Sequence, residues 1–280
     1  MKTGIKSPSI IDICKKANMS VGDINAFLDL LRRSMKPSSK RISVIDNGTT
    51  RYYTVERRGI GILKTDHGKF WHYNFAIDDQ WGKYSVIVKA ELDKNLLIPV
   101  FKNKDQLVLR TDSGCETGQV FGDLTCECHE QLNLALKIIE KVGEGMLINI
   151  PRQDGRGMGL TFKLATLWIQ DVLGVSTVES AALLAPDGVI DIRTYSGVVC
   201  ILKFFGIPKT CRIRLVTNNP EKAKIFVENG YAIADYIPIV IKSNKYTEVN
   251  LRAKQDYLGH KGLVKKKESG TKQLIKSSNE

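Results

Sequence analysis

Residues 110–131 read Arg110-Thr-Asp-Ser-Gly-Cys115-Glu-Thr-Gly-Gln-Val-Phe-Gly-Asp-Leu-Thr-Cys126-Glu-Cys128-His-Glu-Gln131. Cys115, Cys126 and Cys128 form a C-x10-C-x-C cluster with three soft thiolates and no fourth cysteine nearby. Zinc on three protein ligands keeps a position for water, the arrangement of a catalytic site, and lowers the pKa of that water to about 7. Spacing alone leaves two other readings open: a closed Cys3His site with His129 as fourth ligand, or three buried thiols.

The rest of the chain bounds the setting. At 280 residues it has room for one large domain or two small ones. It contains no apolar run of membrane length, and Met1-Lys-Thr-Gly-Ile-Lys6 lacks the apolar segment of a signal peptide. Six cysteines, three of them clustered, fit a reducing compartment better than a disulfide framework, so a cytoplasmic location is expected. The net charge of +12 raises the question of nucleic acid. Much of the excess sits at the ends, in Arg32, Arg33, Lys36, Lys40 and Arg41 and in a Ser/Gly-rich tail with Lys265–Lys267, Lys272 and Lys276. Basic flexible ends, or a pocket built for phosphates, account for it without DNA.

Residues 1–58 read as a separate appendage. Ser9 followed by Asp12, and Ser20 followed by Asp23, each have capping-box spacing. Ile24, Phe27, Leu28 and Leu31 then repeat at helical intervals. Ile42–Ile45 and Tyr52–Val55 flank Asp46-Asn47-Gly48, a hairpin turn signal. Two short helices and a hairpin is the order of a winged helix-turn-helix, and also of many small appendages. From Gly59 to Leu109 the pattern is strand-like, with Phe70–Phe75 and Tyr84–Lys89 as the clearest runs. Helices are predicted over 129–142, 160–173 and about 195–205, and strands over 146–150, 212–216 and 231–234. After Thr217-Asn-Asn-Pro220, Asn219 is placed to cap a helix running to about Asn229, with Pro220 at its first position. This alternation predicts a mixed α/β core over 59–260. Residues 261–280 have the composition of a disordered basic tail.

Three further constellations carry chemistry. Arg152-Gln-Asp-Gly-Arg-Gly-Met-Gly-Leu160 puts three glycines and two arginines between a strand and a helix, which suits close backbone approach and bidentate phosphate binding. Thr217-Asn-Asn-Pro-Glu-Lys222 is a second strand-to-helix turn with a hydroxyl and an ammonium. Asp191-Ile-Arg193 sets a carboxylate and a guanidinium two apart, sharing a face if they lie on a strand. Read singly, each also has a plain reading as a geometric turn, a capped helix start or a surface ion pair.

Taken in order, these pieces resemble the GTP cyclohydrolase II family over about Gly59–His260. The resemblance rests on Thr65-x-x-Gly-x-Phe70, C-x10-C-x-C, R-Q-x-G-R-x-x-G-L, D-x-R, T-N-N-P-x-K and a closing segment Asn250–His260 with Lys and Gly-His. It implies a mixed α+β fold with a strand-rich N-terminal part, preceded here by the small helical and hairpin appendage, and a homodimer. It implies that zinc on Cys115, Cys126 and Cys128, without His129, activates water against C8 of GTP. The ring opens with release of formate and pyrophosphate, giving 2,5-diamino-6-ribosylamino-4(3H)-pyrimidinone 5′-phosphate. Asp191 and Arg193 match the catalytic positions. Arg110, Thr111, Asp112, Ser113, Gly114, Gln131, Asp154, Gly155, Arg156, Thr177, Thr217 and Lys222 match GTP-contacting positions, with Mg2+ accompanying the triphosphate. Because a guanidinium keeps its proton above pH 12, stabilising the departing pyrophosphate is as reasonable a task for Arg193 as nucleophilic attack.

The chain departs from the family pattern in places. Asp112 and Gly114 stand where R-V-H-S-E-C has His and Glu, and Asp154 stands for Glu. Leu167, four residues after Lys163, stands where a pocket tyrosine is usual, with Trp168 as a neighbour that could replace the lost contact. A leucine cannot donate a hydrogen bond, so a variant that stops at the ring-opened formamidopyrimidine is an alternative. A DNA-binding regulator with a repurposed nucleotide-sensing domain is the alternative of another class.

Overall fold

In the computed structural model, which describes residues 9–78, 83–185 and 188–263, the alternating apolar residues after Ile42 become one eight-stranded sheet. Helices α1 (Ile10–Lys16) and α2 (Val21–Met35) come first. Strands β1 (Ser38–Asp46), β2 (Thr49–Thr65), β3 (Gly68–Ile77) and β4 (Tyr84–Lys89) follow as an antiparallel meander. A small ribbon, β5 (Glu91–Asp93) with β6 (Ile98–Val100), leads to β7 (Gln106–Ser113). The order across the sheet is β1-β2-β3-β4-β8-β7-β9-β10, where β8 is Gly145–Ile150, β9 Arg212–Val216 and β10 Ile233–Ile237. β8 pairs antiparallel with β4, whereas β7, β8, β9 and β10 pair parallel.

The parallel half decides where a ligand goes. In open α/β sheets the crevice lies beyond the carboxyl ends of the strands, where crossover connections leave exposed loops and helix starts. β7 ends at Ser113 beside the cysteine loop, β8 ends at Ile150 beside the arginine loop, and β9 ends at Val216 beside Thr217. α4 (Cys128–Val142) covers one face through Ala135, Leu136 and Ile139. α7 (Ser196–Phe204) covers the other with the aromatic cluster Tyr73, Phe75, Phe204 and Phe205. The helices α3 (Glu116–Gln119), α5 (Leu160–Leu173), α6 (Thr177–Leu184), α8 (Lys224–Glu228) and α9 (Glu248–Leu258) complete the chain.

Local signals are obeyed unevenly. Asn47 and Gly48 take positive φ (50° and 75°), as a two-residue hairpin turn requires. Ser20 accepts from Asp23 N, but Ser9 caps nothing with its side chain: Asp12 N bonds the Ser9 carbonyl instead. Asn219 caps as expected, yet its helix begins as a 3-10 turn, Pro220–Ala223, before α8. Asp191 and Arg193 lie on no strand, so they do not meet as strand neighbours. The boundary expected near residue 58 falls inside β2, and the hairpin tip is tied to the core by Ser196 Oγ to Asp46, Asn47 N to Glu228 and Ile45 N to Asn229. The lysines of the basic tail, from Lys265 on, lie outside the described residues, and no single described helix is long and apolar enough to cross a membrane.

Candidate active site

Cys115 follows β7, and Cys126 and Cys128 bracket the start of α4. The intervening loop folds back so that the three Sγ atoms lie within 4.8 Å of one another, with Cys115 and Cys126 4.0 Å apart. Tetrahedral zinc with Zn–S bonds of about 2.3 Å needs sulfurs roughly 3.8 Å apart, so the donor set fits that ion in chemistry and in span. Gly118 allows the fold-back, because a Cβ there would fall 2.5 Å from Cys126 Sγ. His129 is exposed and outside the cluster, which removes the Cys3His alternative. Lys163, from α5, places Nζ 2.9 Å from Cys115 Sγ, in contact with Thr117 Oγ1 and 3.8 Å from Asp123. Hydrogen bonds from the neighbouring thiols, then the Lys163 ammonium, push the Cys115 thiol well below its usual range. Burial works against the charged Lys163, but the thiols outweigh it and raise its pKa.

The expected site residues, except Thr111, Gly114 and Asp191, line one cleft with this cluster. Arg156 reaches it from a 3-10 turn, Asp154–Gly157, in which Gly155 and Arg156 both have φ near 56°. That guanidinium donates to the Thr177 carbonyl (3.0 Å) and Oγ1 (3.3 Å), and burial, then Arg193, lowers it to about 10. Arg193 forms a two-armed ion pair with Asp191, with Nε 2.9 Å from Oδ1. Burial favours a neutral Asp191, but the Arg193 guanidinium outweighs it and holds the carboxyl below its usual range. Asp191 therefore stands behind Arg193 and aims it. Lys222 is buried, donates 2.7 Å to the Thr111 carbonyl and lies over the Tyr195 ring. Burial, then Arg110, depresses its pKa far below that of an ordinary lysine.

Other expected contacts are committed within the protein. Arg110 donates to Asp112, Gln131 and the Val216 carbonyl. Asp112 also accepts from Gln119 and Asn149, so it neutralises Arg110 and braces the β7–β8 junction. Gly114 N bonds the Ile150 carbonyl at 2.8 Å, and a Cβ at Gly114 would lie 2.6 Å from that oxygen. Asp154 accepts from Glu116 N (2.9 Å), and Thr217 Oγ1 accepts from Asn219 N. Ser113 and Gly155 line the wall. Leu167 faces the cleft, whereas Trp168 is 75% exposed and does not, so it cannot replace a missing tyrosine hydroxyl within this chain.

The C-terminal segment supplies a second wall of the cleft. α9 brings Asn250 and Lys254 to the cleft, and the turn after it brings His260. Asn250 accepts from Thr177 N and donates to the Thr125 carbonyl, and Lys254 bonds Glu127, between the second and third thiols, at 2.8 Å. The only signal for this wall was the closing Lys and Gly-His.

The GTP cyclohydrolase II family model matches residues 56–238. The GTP cyclohydrolase-2 of Picrophilus torridus is 37% identical over 198 residues, covering 71% of this chain and 94% of that protein. The riboflavin biosynthesis protein RibBA of Phocaeicola vulgatus is 34% identical over 198 residues, but this chain spans only 45% of its length. The GTP cyclohydrolase-2 of Streptomyces coelicolor is 30% identical over 222 residues, covering 79% of this chain and 93% of that protein. With the family model spanning both the cysteine loop and the turns that carry Arg156 and Lys222, the chain belongs to the GTP cyclohydrolase II family.

Proposed function

We propose that this chain hydrolyses GTP in riboflavin biosynthesis, opening the imidazole ring of guanine and releasing pyrophosphate and formate. One observation carries the reading: the three-thiol cluster and the cations Arg156, Arg193 and Lys222 face a single cleft. Cys115, Cys126 and Cys128 would hold zinc, which supplies a water acidic enough to attack at neutral pH. Arg156 and Lys222 take the phosphates, with Mg2+ as counter-ion. Arg193, aimed by Asp191, faces the phosphorus–oxygen bond that breaks and stabilises the charge of the departing pyrophosphate. Its pair with Asp191 keeps it protonated, which favours charge stabilisation over nucleophilic attack. Zinc content together with consumption of GTP tests the assignment, and protein that binds zinc stoichiometrically yet leaves GTP intact would refute it.

We propose for this chain an appendage to about residue 58 that joins a catalytic region, extending to about residue 260, without a break through β2, and a cytoplasmic location. A homodimer is inferred for it. The exposed stripe Leu164, Trp168 and Val172 on α5 supplies an apolar face for pairing, and sedimentation measures it.

A second reading follows from Leu167 on the cleft wall. Removing the formyl group takes a second water to a formamide, a poor electrophile that benefits from a hydrogen-bond donor. Leucine offers none, and Trp168 faces away. An enzyme stalled at this stage yields the formamidopyrimidine. Mass spectrometry of the product decides: stoichiometric formate supports full conversion, and retention of the formyl carbon, relieved in Leu167→Tyr, supports the stall.

A further inference from the structure

The last described segment lies beyond the residues matched by the family model, 56–238, yet it closes one side of the cleft. Asn250 ties it to Thr125 and Thr177, Lys254 ties it to Glu127, and Lys261 N donates to the Asn218 carbonyl. These bonds reach three separate loops. Between the last two, Gly259 takes φ +66° and turns the chain so that His260 meets the cleft. None of the roles of Arg156, Arg193 and Lys222 uses His260.

Three basic side chains line the cleft together with its imidazole. Lys254 comes from α9, just before His260, Arg193 from the stretch before α7, and Lys222 from the 3-10 turn after β9, while Glu127 of the cysteine loop opposes them. Arg193 is in turn paired with Asp191, and Glu127 with Lys254. Burial first, then these cations, hold the imidazole at about 4, so it is uncharged at neutral pH. Arg193 and Lys222 are the same groups assigned to the phosphates.

We propose that His260 is a further substrate-binding residue, an imidazole that takes up a proton as a polyphosphate settles against Arg193 and Lys222 and then donates to a phosphate oxygen. The proposal rests on the reading of this cleft as a GTP site. Its physics is a reversal of local field. Phosphate oxygens bring several negative charges into a cluster of positive ones, and a nearby anion favours the imidazolium. The proton comes from solvent and stays on the ring as the new donor. Because proton and ligand then help each other bind, affinity must rise as pH falls.

Calorimetry of the zinc-loaded enzyme, with inorganic triphosphate and with a non-hydrolysable GTP analogue, in buffers of different ionisation heat, counts the protons exchanged. The wild-type protein should take up more protons per ligand than His260→Gln, a comparison that cancels the ligand's own titration. Affinity should also climb more steeply from pH 8 to pH 6 in the wild type. Carbon NMR of labelled histidine reads the same event without a substitution: among the 4 histidines, the resonance that titrates lowest in the free protein should move to its charged position in the saturated complex. Equal proton uptake in the two proteins, or a resonance that stays neutral in the complex, overturns the proposal. If triphosphate binds with proton uptake but the GTP analogue does not bind, the GTP reading fails and the role of His260 stands.

Discussion

Lys163 Nζ lies 2.9 Å from Cys115 Sγ, so the thiol cluster has an ammonium built into its side. Three thiolates around a divalent cation carry one net negative charge, and Lys163 neutralises it. Groups next to the ligands of a metal typically change its affinity by about 10–100-fold. Lys163→Met should therefore weaken zinc retention by roughly that factor, with Lys163→Arg milder, as measured by chelator competition. Equal zinc affinity in wild type and Lys163→Met would make the contact incidental.

The cysteine loop should fail as a unit. Cys126→Ser should lose zinc and turnover together, measured by metal analysis and GTP consumption. Gly118→Ala should do nearly as much without touching a thiol, because its Cβ would fall 2.5 Å from Cys126 Sγ. A Gly118→Ala protein with full zinc content would show that the loop relaxes freely.

Phosphate contacts and bond-breaking contacts should separate kinetically. A charged hydrogen bond to phosphate is worth about 1.5–3 kcal/mol, so Arg156→Ala should raise KM about tenfold or more. Arg193→Ala should act mainly on kcat, as expected of a group whose contact strengthens in the transition state. Steady-state kinetics with GTP tests both, and an unchanged kcat would take Arg193 out of the chemistry.

Acid stability should report the setting of His260 without any substrate. Its folded pKa of about 4 lies below the unfolded value of 6.5, so between these two pH values the unfolded chain binds more protons than the folded one. Stability from this group is full above pH 6.5 and is lost as pH falls toward 4. His260→Gln should lose less Tm than the wild type across that window, measured by thermal melts. Parallel curves would mean that the imidazole is solvated.

The strands of the meander were legible from their β-branched and aromatic runs, and the helices at 160–173 and 196–204 from their length and apolar content, although the first buries only Thr166 and the second is buried nearly all round. α9 was not, since its buried positions include Asn250 beside Leu251 and Ala253, and a polar residue spent on Thr125 and Thr177 breaks the apolar pattern. The capping box formed by Ser176 and Glu179 has the same spacing as Ser20 and Asp23 and is equally readable. For the cleft, spacing brought the three thiols together, because they belong to one short loop. The bonding of Arg110 and Asp112 was hidden, since Gln119, Gln131 and Asn149 reach them from different elements. Arg193 meets Asp191 without a strand: its own N–H turns back to the same carboxylate, which sequence spacing could not separate from a strand pair.

The contact of Gly114 with Ile150 limits what can stand at position 114. A side chain at 114 meets the carbonyl at the end of β8 before it meets any ligand, and that carbonyl is already bonded to Gly114 N. The glycine here and the glutamate usual in the family are thus separated by a shift of the β7–β8 junction as well as a codon. Gly114→Glu alone therefore has to displace the β7–β8 junction before it can add any contact to the cleft. Chimeras that exchange the whole stretch 112–119 with its β8 neighbour are the practical route to a side chain at 114, since a single substitution there mixes the lost backbone contact with any gain in the cleft.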